Sequence, residues 1–383
     1  MLHDYVVRPA TLHDIDAIDR LAHDAKLGMT SLPRDRGALQ KKLILSHRAF
    51  HDPVKAPNGE VYFFVLEHAI TRTVVGTCKL VSRAGVSDPS TAFQIEKSVQ
   101  RSVSMDKSVA TTLLHPKIHF GGPTEIGGLY VDSSHREKGL GRLVSLSRFL
   151  FLAMHRERFA DNVMAEMRGV ITPDGTSPFW DAVGRKLFDM DFQQADYMAA
   201  VDRSFILDLL PHFPIYADLL PDAAVSVISQ THEETVPALR LLQQEGFRIT
   251  DLIDVFDAGP KVNAPVDDIR TVQEARFARV GSVVSEMDRI FVEGTHSDEP
   301  VFLMSNGKLE NFRSCMGYLD VDGDTITLSR SYATLLNVKA GDVMWFSPLI
   351  PHSFLRRFER WYSKVPILSG DAGPKAKGRR SVR

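Results

Sequence analysis

The run Arg136-Glu137-Lys138-Gly139-Leu140-Gly141 joins an apolar segment, Gly128 to Asp132, to a long hydrophobic stretch that begins near Leu143. Two glycines let a backbone approach a ligand closely, and the free N–H groups of a following helix's first turn would point at whatever sits in the loop. With the positive end of the helix dipole behind them, the natural guest is an anion such as a pyrophosphate. The groups placed to meet it are Val131, Arg136, Lys138, Gly139 and Gly141. No Lys-Ser/Thr follows the second glycine, so the run is not a nucleotide P-loop, and it lacks the Gly-x-Gly-x-x-Gly of a dinucleotide site. A plain glycine turn between strand and helix would use the same residues.

Other chemistry-bearing residues fall at spacings that assemble no site. His115 and His119 are four apart, but Pro116 opposes the helix that would align both on a metal. Asp320 to Asp324 mimics the start of a calcium loop, yet Thr325 stands where the sharp-turn glycine belongs and Ser331 where the bidentate glutamate belongs. A hairpin turn is the better reading there. Cys78 and Cys315 lie outside any Cys-x-x-Cys pattern, which suggests neither a disulfide framework nor a zinc site. No metal is expected.

The formal net charge of -2 over 383 residues gives no electrostatic reason to expect nucleic acid or an anionic membrane as partner. Small molecules are the expected partners. The N-terminus lacks a basic segment followed by an apolar one, and the apolar stretch from Leu146 to Met154 is short and interrupted by Arg148. Neither an export signal nor a membrane span is expected, and a cytoplasmic location follows.

The elements that must position the loop read as an α/β fold with a mixed sheet flanked by helices. Residues 5–9 predict a strand, and Thr11-x-x-Asp14 resembles a capping box opening a helix with Ile15, Ile18, Leu21 and Ala22 on one face. A helix follows around 39–47, then strands at 61–66 and 74–81 joined by a turn at 70–73. Residues 82–123 show little periodicity and read as a long loop with short strands. Beyond it lie a strand over 124–131, a helix over 143–154 that is apolar nearly all round, a strand over 162–170 and a helix over 178–188. A strand or short helix over 224–229, a helix over 234–244 closed by Gly246 and a strand over 250–256 complete this part. Residues 179–192 and 239–255 look alike, which suggests a duplicated half-fold with its second copy within 200–260. The turn signal Asp257-Ala258-Gly259-Pro260 marks a boundary, giving a main domain over 1–260, a small β-rich module over 261–370 and a disordered basic tail over 371–383.

Arg136-x-x-Gly139-x-Gly141 resembles the acyl-CoA signature of the GCN5-related N-acetyltransferase superfamily. Several further blocks resemble the arginine N-succinyltransferase family: residues 7–10 and 28–33, 147–152, Ala165-Glu166-Met167-Arg168-Gly169, Ser177-Pro178-Phe179-Trp180, Met190-Asp191-Phe192, Pro214-Ile215-Tyr216, and 245–248 through 256–260. The resemblance implies an acyl-CoA N-acyltransferase fold, succinyl-CoA as donor and the α-amino group of L-arginine as acceptor. It also implies a proton-donating histidine at His232, a succinyl-CoA contact at Leu129, substrate contacts at Thr30 and Ser31, and a homo-oligomer. From about Phe93 to Gly122 the sequence departs from the family pattern, which keeps ornithine or another amine open as acceptor. A non-catalytic acyl-CoA-binding sensor is the alternative from a different class.

Acyl transfer to an amine needs a neutral nucleophile, dipoles for the developing oxyanion and a proton for the departing thiolate. A histidine such as His232 has a pKa range suited to the last step, although the same residue before a helix also serves as a cap. Glu125, on the strand leading into the loop, could act as a base through water or be an ordinary strand carboxylate. The Arg168 guanidinium suits a substrate carboxylate, or a structural salt bridge to Glu166 or Asp191.

Overall fold

The central strands owe their place to apolar residues on both faces. In β1 (Tyr5–Pro9), Tyr5 and Val7 enter one core and Val6 another. A computed structural model describes residues 4–25, 32–285 and 301–349, with Glu137 and Lys138 as backbone only. The N-terminal helix α1 (Ile15–Asp24) starts where Asp14 accepts from the Thr11 N–H at 2.8 Å, and Arg8 clamps the same carboxylate. It lies beside α2 (Arg36–His51). In β2 (Val61–His68), Tyr62, Phe64 and Leu66 share the core of β1. Phe63 and Val65 meet Ile18, Leu21, Leu39 and Leu43 of the two helices on the other face, the period-2 division of a strand covered on both sides. The hairpin to β3 (Thr73–Val81) has the register expected from its turn, Val61↔Val81 to His68↔Thr73.

Residues 82–123 depart from the expected loop. They form two thirteen-residue strands, β4 (Ser90–Ser102) and β5 (Lys107–His119), paired from Ser90↔His119 to Ser102↔Lys107. Only the near half of this hairpin packs: Phe93 and Leu114 are buried, whereas Val99 is 70% and Val103 87% exposed. With no second layer over its far half, no apolar alternation is needed there, and the strand signal is lost.

β6 (Thr124–Val131) leads to α3 (Leu140–Met154), which is buried along most of its length. Arg148 within it is buried too, its guanidinium donating to Ser145 Oγ at 2.9 Å. β7 (Asn162–Glu166) follows, then a π-helical turn over Trp180–Gly184 continued by α4 (Arg185–Phe188), α5 (Phe192–Val201) and α6 (Ser204–Leu209). These helices pack Phe179, Trp180, Phe192 and Ile206 on Phe93, Leu114 and Ile253. The short β8 (Ile215–Tyr216), α7 (Asp222–Val225), α8 (Val236–Gln244), β9 (Arg248–Ile253), β10 (Pro260–Pro265) and α9 (Arg270–Gln273) complete this part. The segment read as strand or short helix over 224–229 is therefore the end of α7 and its following turns.

Beyond it are β11 (Arg276–Val284), β12 (Phe302–Ser305), β13 (Ser314–Gly317), β14 (Asp320–Asp322), β15 (Thr325–Ser329), α10 (Arg330–Leu336) and β16 (Val343–Pro348). β14 and β15 pair antiparallel across Gly323, the hairpin expected of the aspartate-rich run. Among the described residues the strands make one sheet, ordered β14-β15-β11-β16-β12-β13-β1-β2-β3-β6-β7-β10-β9-β4-β5-β8. The C-terminal strands join it through Val7↔Ser314. No helix of the described residues is long and apolar enough to cross a membrane. The tail over 371–383 lies outside the described residues.

Candidate active site

β6 and β7 run parallel but pair only at Thr124↔Val163 and Glu125↔Met164. Beyond these positions β6 stays with β3 as far as Val131, while β7 stays with β10 to Lys261↔Glu166. The two strands part, and a wedge opens between their C-terminal ends. Two local devices open it. On β6 the register against β3 shifts between Thr77 and Lys79, Gly128 takes φ +58°, and Thr77 Oγ1 donates to the Gly128 carbonyl at 2.8 Å; such a bulge bends a strand away from its neighbour. On the β7 side the chain crosses residues 257–259 at a distance only glycine allows. A Cβ on Gly259 would lie 2.0 Å from the Met167 carbonyl oxygen, and one on Gly169 would lie 2.2 Å from that of Asp257. The Asp257 carboxylate fastens the crossing, accepting from the Gly169 N–H at 2.7 Å and the Gly259 N–H at 2.8 Å.

The mouth of the wedge is the glycine loop. Gly139 is the N-cap of α3 at φ +69°, a left-handed conformation that favours glycine, and a Cβ there or on Gly141 would meet nothing within 4 Å. The helix therefore presents its first N–H groups and its positive dipole end to open space, the arrangement that receives a pyrophosphate. Arg136 is folded back, donating from Nε to the Val131 carbonyl at 3.1 Å with its guanidinium 5.5 Å from the Tyr130 ring centre. Asp132, whose carboxylate accepts from the Ser134 hydroxyl at 2.7 Å and from Arg20 at 3.1 Å, is held down at about 2 by these bonds.

A pocket lies where the strands meet. Glu125, Ile126 and Gly127 of β6 form one wall, and Glu166, Met167 and Arg168 another. Phe192 and Asp196 of α5, Arg203 before α6, and Asp254, Phe256 and Asp257 after β9 complete it. Two of its carboxylates are already matched: Lys79 reaches Glu125 at 3.1 Å, and Lys261 reaches Glu166 at 2.7 Å while also donating to the Thr91 carbonyl at 2.8 Å. Although burial opposes it, Lys261 and Arg203 hold Glu166 well below the usual carboxylate range. Burial pushes Asp254 and Asp257 up, Glu166 adding to the first and Asp254 to the second. The Arg203 guanidinium is raised against burial by Glu166, Glu125 and Asp254. Five carboxylates and two guanidinium groups line the pocket, but Lys79 and Lys261 pair with two of the carboxylates and burial pushes Asp257 up to about 8, so the two signs of charge are close to balanced. Among the described residues no group of three or more His, Cys, Asp or Glu is arranged to hold a metal ion.

A sequence profile described as arginine N-succinyltransferase beta subunit matches residues 5–271, more than half of the chain. The chain belongs to that family. A profile for the C-terminal domain of the same subunit matches residues 289–348. The arginine N-succinyltransferase of Enterobacter sp. (strain 638) is 33% identical over 348 residues, covering 90% of this chain and 98% of the relative. That of Escherichia coli O139:H28 is 33% identical over 339 residues, covering 88% and 95%. Among solved structures, subunit AI of the arginine/ornithine succinyltransferase from Pseudomonas aeruginosa superimposes with a TM-score of 0.79 at 34% identity, covering 90% of this chain and 99% of that one.

In this member of the arginine N-succinyltransferase family, Glu125 and Arg168 face one pocket from opposite walls. His232 is joined to the same wall through its backbone, its N–H donating to the Arg168 carbonyl at 2.8 Å, but its ring is not part of the pocket lining. It caps the turn Glu233–Thr235, with Nδ1 accepting from the Glu234 N–H at 3.2 Å. Leu129 and Val131 lie further along β6 towards the mouth, where Arg136, Gly139 and Gly141 gather. Thr30, Ser31 and the Lys138 side chain lie outside the described residues.

The ion-pair partners expected for Arg168 are corrected. Glu166 is taken by Lys261, and Asp191 caps α5 by accepting from the Gln194 N–H at 2.8 Å. Arg168 instead faces Glu234 at 3.7 Å. Reading the sequence missed Lys79, Glu166, Asp196, Arg203, Asp254, Asp257 and Lys261. Glu166 was within reach, because in a strand over 162–170 it would share the face of Arg168, two residues on, although β7 itself ends at Glu166.

Proposed function

We propose that this protein transfers the succinyl group of succinyl-CoA to the α-amino group of L-arginine. The observation that carries the reading is the wedge between β6 and β7, with a glycine-capped helix end at its mouth and a pocket lined by paired charges at its closed end. A CoA thioester laid along β6 puts its pyrophosphate at Gly139 and Gly141, next to Arg136 and with Lys138 following in sequence, and its pantetheine arm and carbonyl against the backbone near Leu129 and Val131. The carboxylates in its lining offer partners to a cationic side chain of the acceptor.

In the reaction the amine nitrogen bonds to the thioester carbon, the carbon–sulfur bond breaks, and the amine loses a proton. Glu125, steadied by Lys79, stands where that proton can pass to it through water. The departing thiolate needs a proton, and His232 supplies it. To supply it the ring must be imidazolium, with Nδ1 protonated and its bond from the Glu234 N–H given up, and donation from Nε2 returns it to the neutral form that caps the turn. Arg168 takes a substrate carboxylate, the interaction its planar fork suits best. A reducing, cytoplasmic setting accords with Cys78 and Cys315, which are both buried free thiols.

Free-thiol release from succinyl-CoA and acetyl-CoA, measured with arginine, ornithine, lysine and neutral amino acids, tests this function. Release with succinyl-CoA and arginine above all other pairs is expected. Release with ornithine alone would move the acceptor from arginine to ornithine. CoA binding without release from any pair would refute catalysis.

A further inference from the structure

The exposed apolar surface of the chain is concentrated at the end of the sheet formed by β9, β4, β5 and β8. Of the twenty large apolar side chains that stand exposed among the described residues, fourteen fall in two segments, 99–120 and 197–225. The first holds the tip and the second strand of the β4–β5 hairpin. The second is the outer side of α5, α6 and the turns about β8, where Phe213 is 81% and Leu219 82% exposed. Single exposed apolar residues need no explanation, but a concentration of this kind marks a contact surface.

The hairpin is built as an arm. One of its faces buries Phe93 and Leu114 beneath the helices. By the period of a strand the same face runs outward as Lys97, Val99 and Arg101, with Ala110 opposite Val99, and all four are exposed. Among the described residues β4 pairs with β9 only at Phe93 and Gln94, and β5 with β8 only at Leu113 and Leu114. Both edges of the ribbon are open beyond these positions, and the stretch from Ile95 to Ser102 reaches roughly 25 Å past its base. A two-stranded ribbon alone in water is marginal, and an open strand edge invites a partner.

Charge identifies the partner. From 97 to 111 the arm carries Lys97, Arg101 and Lys107 against Asp106 alone. Residues 191–225 carry Asp191, Asp196, Asp202, Asp208, Asp218 and Asp222 against Arg203 alone, which lines the pocket. A basic apolar arm and an acidic apolar face on one chain complement each other, and neither complements itself. A two-fold pair seats each arm on the other chain's face and so uses both surfaces at once. The arm alone supplies about half of the 20–30 residues a side that a stable interface takes, and the face supplies the rest. A different protein covering one of them would leave the other bare.

We propose that two copies of this chain pair about a two-fold axis, each laying its β4–β5 arm across the outer side of α5 and α6 of the other. The pairing does not depend on the reaction assigned above.

The test measures mass by sedimentation for the full chain, for Lys97→Glu with Arg101→Glu on the arm, and for Asp208→Lys with Asp222→Lys on the face. All four positions are exposed. The wild-type protein should have twice the mass of one chain. Each double variant should raise the dissociation constant of the dimer by about 100-fold or more, because like charges then meet at both contacts. An equimolar mixture of the two variants should pair again, because each contact then joins opposite charges. If either variant does not fold, Val99→Asp decides: dissociation sustains the proposal and an unaltered dimer rejects it. A wild-type chain that stays single throughout the micromolar range would overturn the proposal and leave the surface to a different protein. A dimer that survives the charge reversals, or variants that stay apart when mixed, would overturn it equally.

Discussion

Lys42 offers the sharpest numerical test of how the cations are arranged. Its ammonium is pushed from 10.5 down to about 7, first by burial and then by Lys79 and Arg203, against the opposing pull of Glu125 and Asp88. A lysine in the unfolded chain keeps its proton to about pH 10.4. Between these values the unfolded state binds more protons, so stability must rise with pH across the window. The penalty of keeping Lys42 in the fold is up to about 4 kcal/mol at pH 7, about 2 kcal/mol at pH 9, and is nearly gone at pH 10.5. Lys42→Met removes the charge while keeping an unbranched side chain of similar helix propensity. Urea unfolding of both proteins at pH 7, 8 and 9 isolates this group, because every other titration is common to the two. The variant should be the more stable at pH 7, and its advantage should shrink by about 2 kcal/mol by pH 9. An advantage that does not change with pH would show that the ammonium is not crowded and would refute the reasoning.

Lys261→Met should destabilise the protein by about 3–5 kcal/mol, because it strands the Glu166 carboxylate, while adding Glu166→Gln should recover part of that loss. The loss should shrink in acid. Glu166 is depressed in the fold, so its contribution is present above the ordinary carboxylate pKa and disappears as the pH falls below it; urea midpoints from pH 7 to pH 3 check both statements. Gly139→Ala and Gly141→Ala should both weaken CoA binding but move stability in opposite directions. The first costs about 1–2 kcal/mol at its left-handed φ, and the second gains about 0.5–1 kcal/mol in a helical position; calorimetry with CoA and thermal unfolding separate the effects. His232→Ala should lower kcat by about 100-fold or more without changing CoA affinity. His232→Asn keeps a side chain able to cap the turn and should restore stability without restoring turnover, and steady-state rates beside unfolding curves decide whether the ring does more than cap.

The mouth of the wedge was legible in the sequence because its parts are contiguous. Strand β6, Arg136, Gly139, Gly141 and α3 follow one another within thirty or so residues, and each leaves a local mark: alternation, a glycine pair, an apolar helical run. The β4–β5 hairpin left no such mark, since its far half is exposed on both faces and its few apolar residues, such as Val99 and Val109, follow no buried face. The closed end of the wedge was harder for another reason. A local pattern tells which face a residue takes but not which distant strand will lie beside it. The sheet order β6-β7-β10-β9 brings Glu125, Glu166, Lys261 and Asp254 together from segments far apart in sequence. Asp254 read only as part of a strand and Asp257 as a turn residue, and Arg203 sits between two helices with no periodicity to single it out.

The donor wedge and the acceptor pocket share one origin, and this explains why the acidic turn matters as much as the glycine loop. The crossing of residues 167–169 with 257–259, closed by the Asp257 carboxylate, carries β7 away from β6 and so opens the wedge. The same crossing sets Arg168 in the pocket wall. It also receives the segment that bears His232, through the Ser229 N–H on the Ala258 carbonyl at 2.9 Å and the His232 N–H on the Arg168 carbonyl at 2.8 Å. Three parts of the proposed site therefore hang on a contact in which neither Gly169 nor Gly259 has room for a Cβ. A side chain at either glycine would part the strands at the wrong place, and the two substrates would lose their common meeting point even though no group that touches them had been altered.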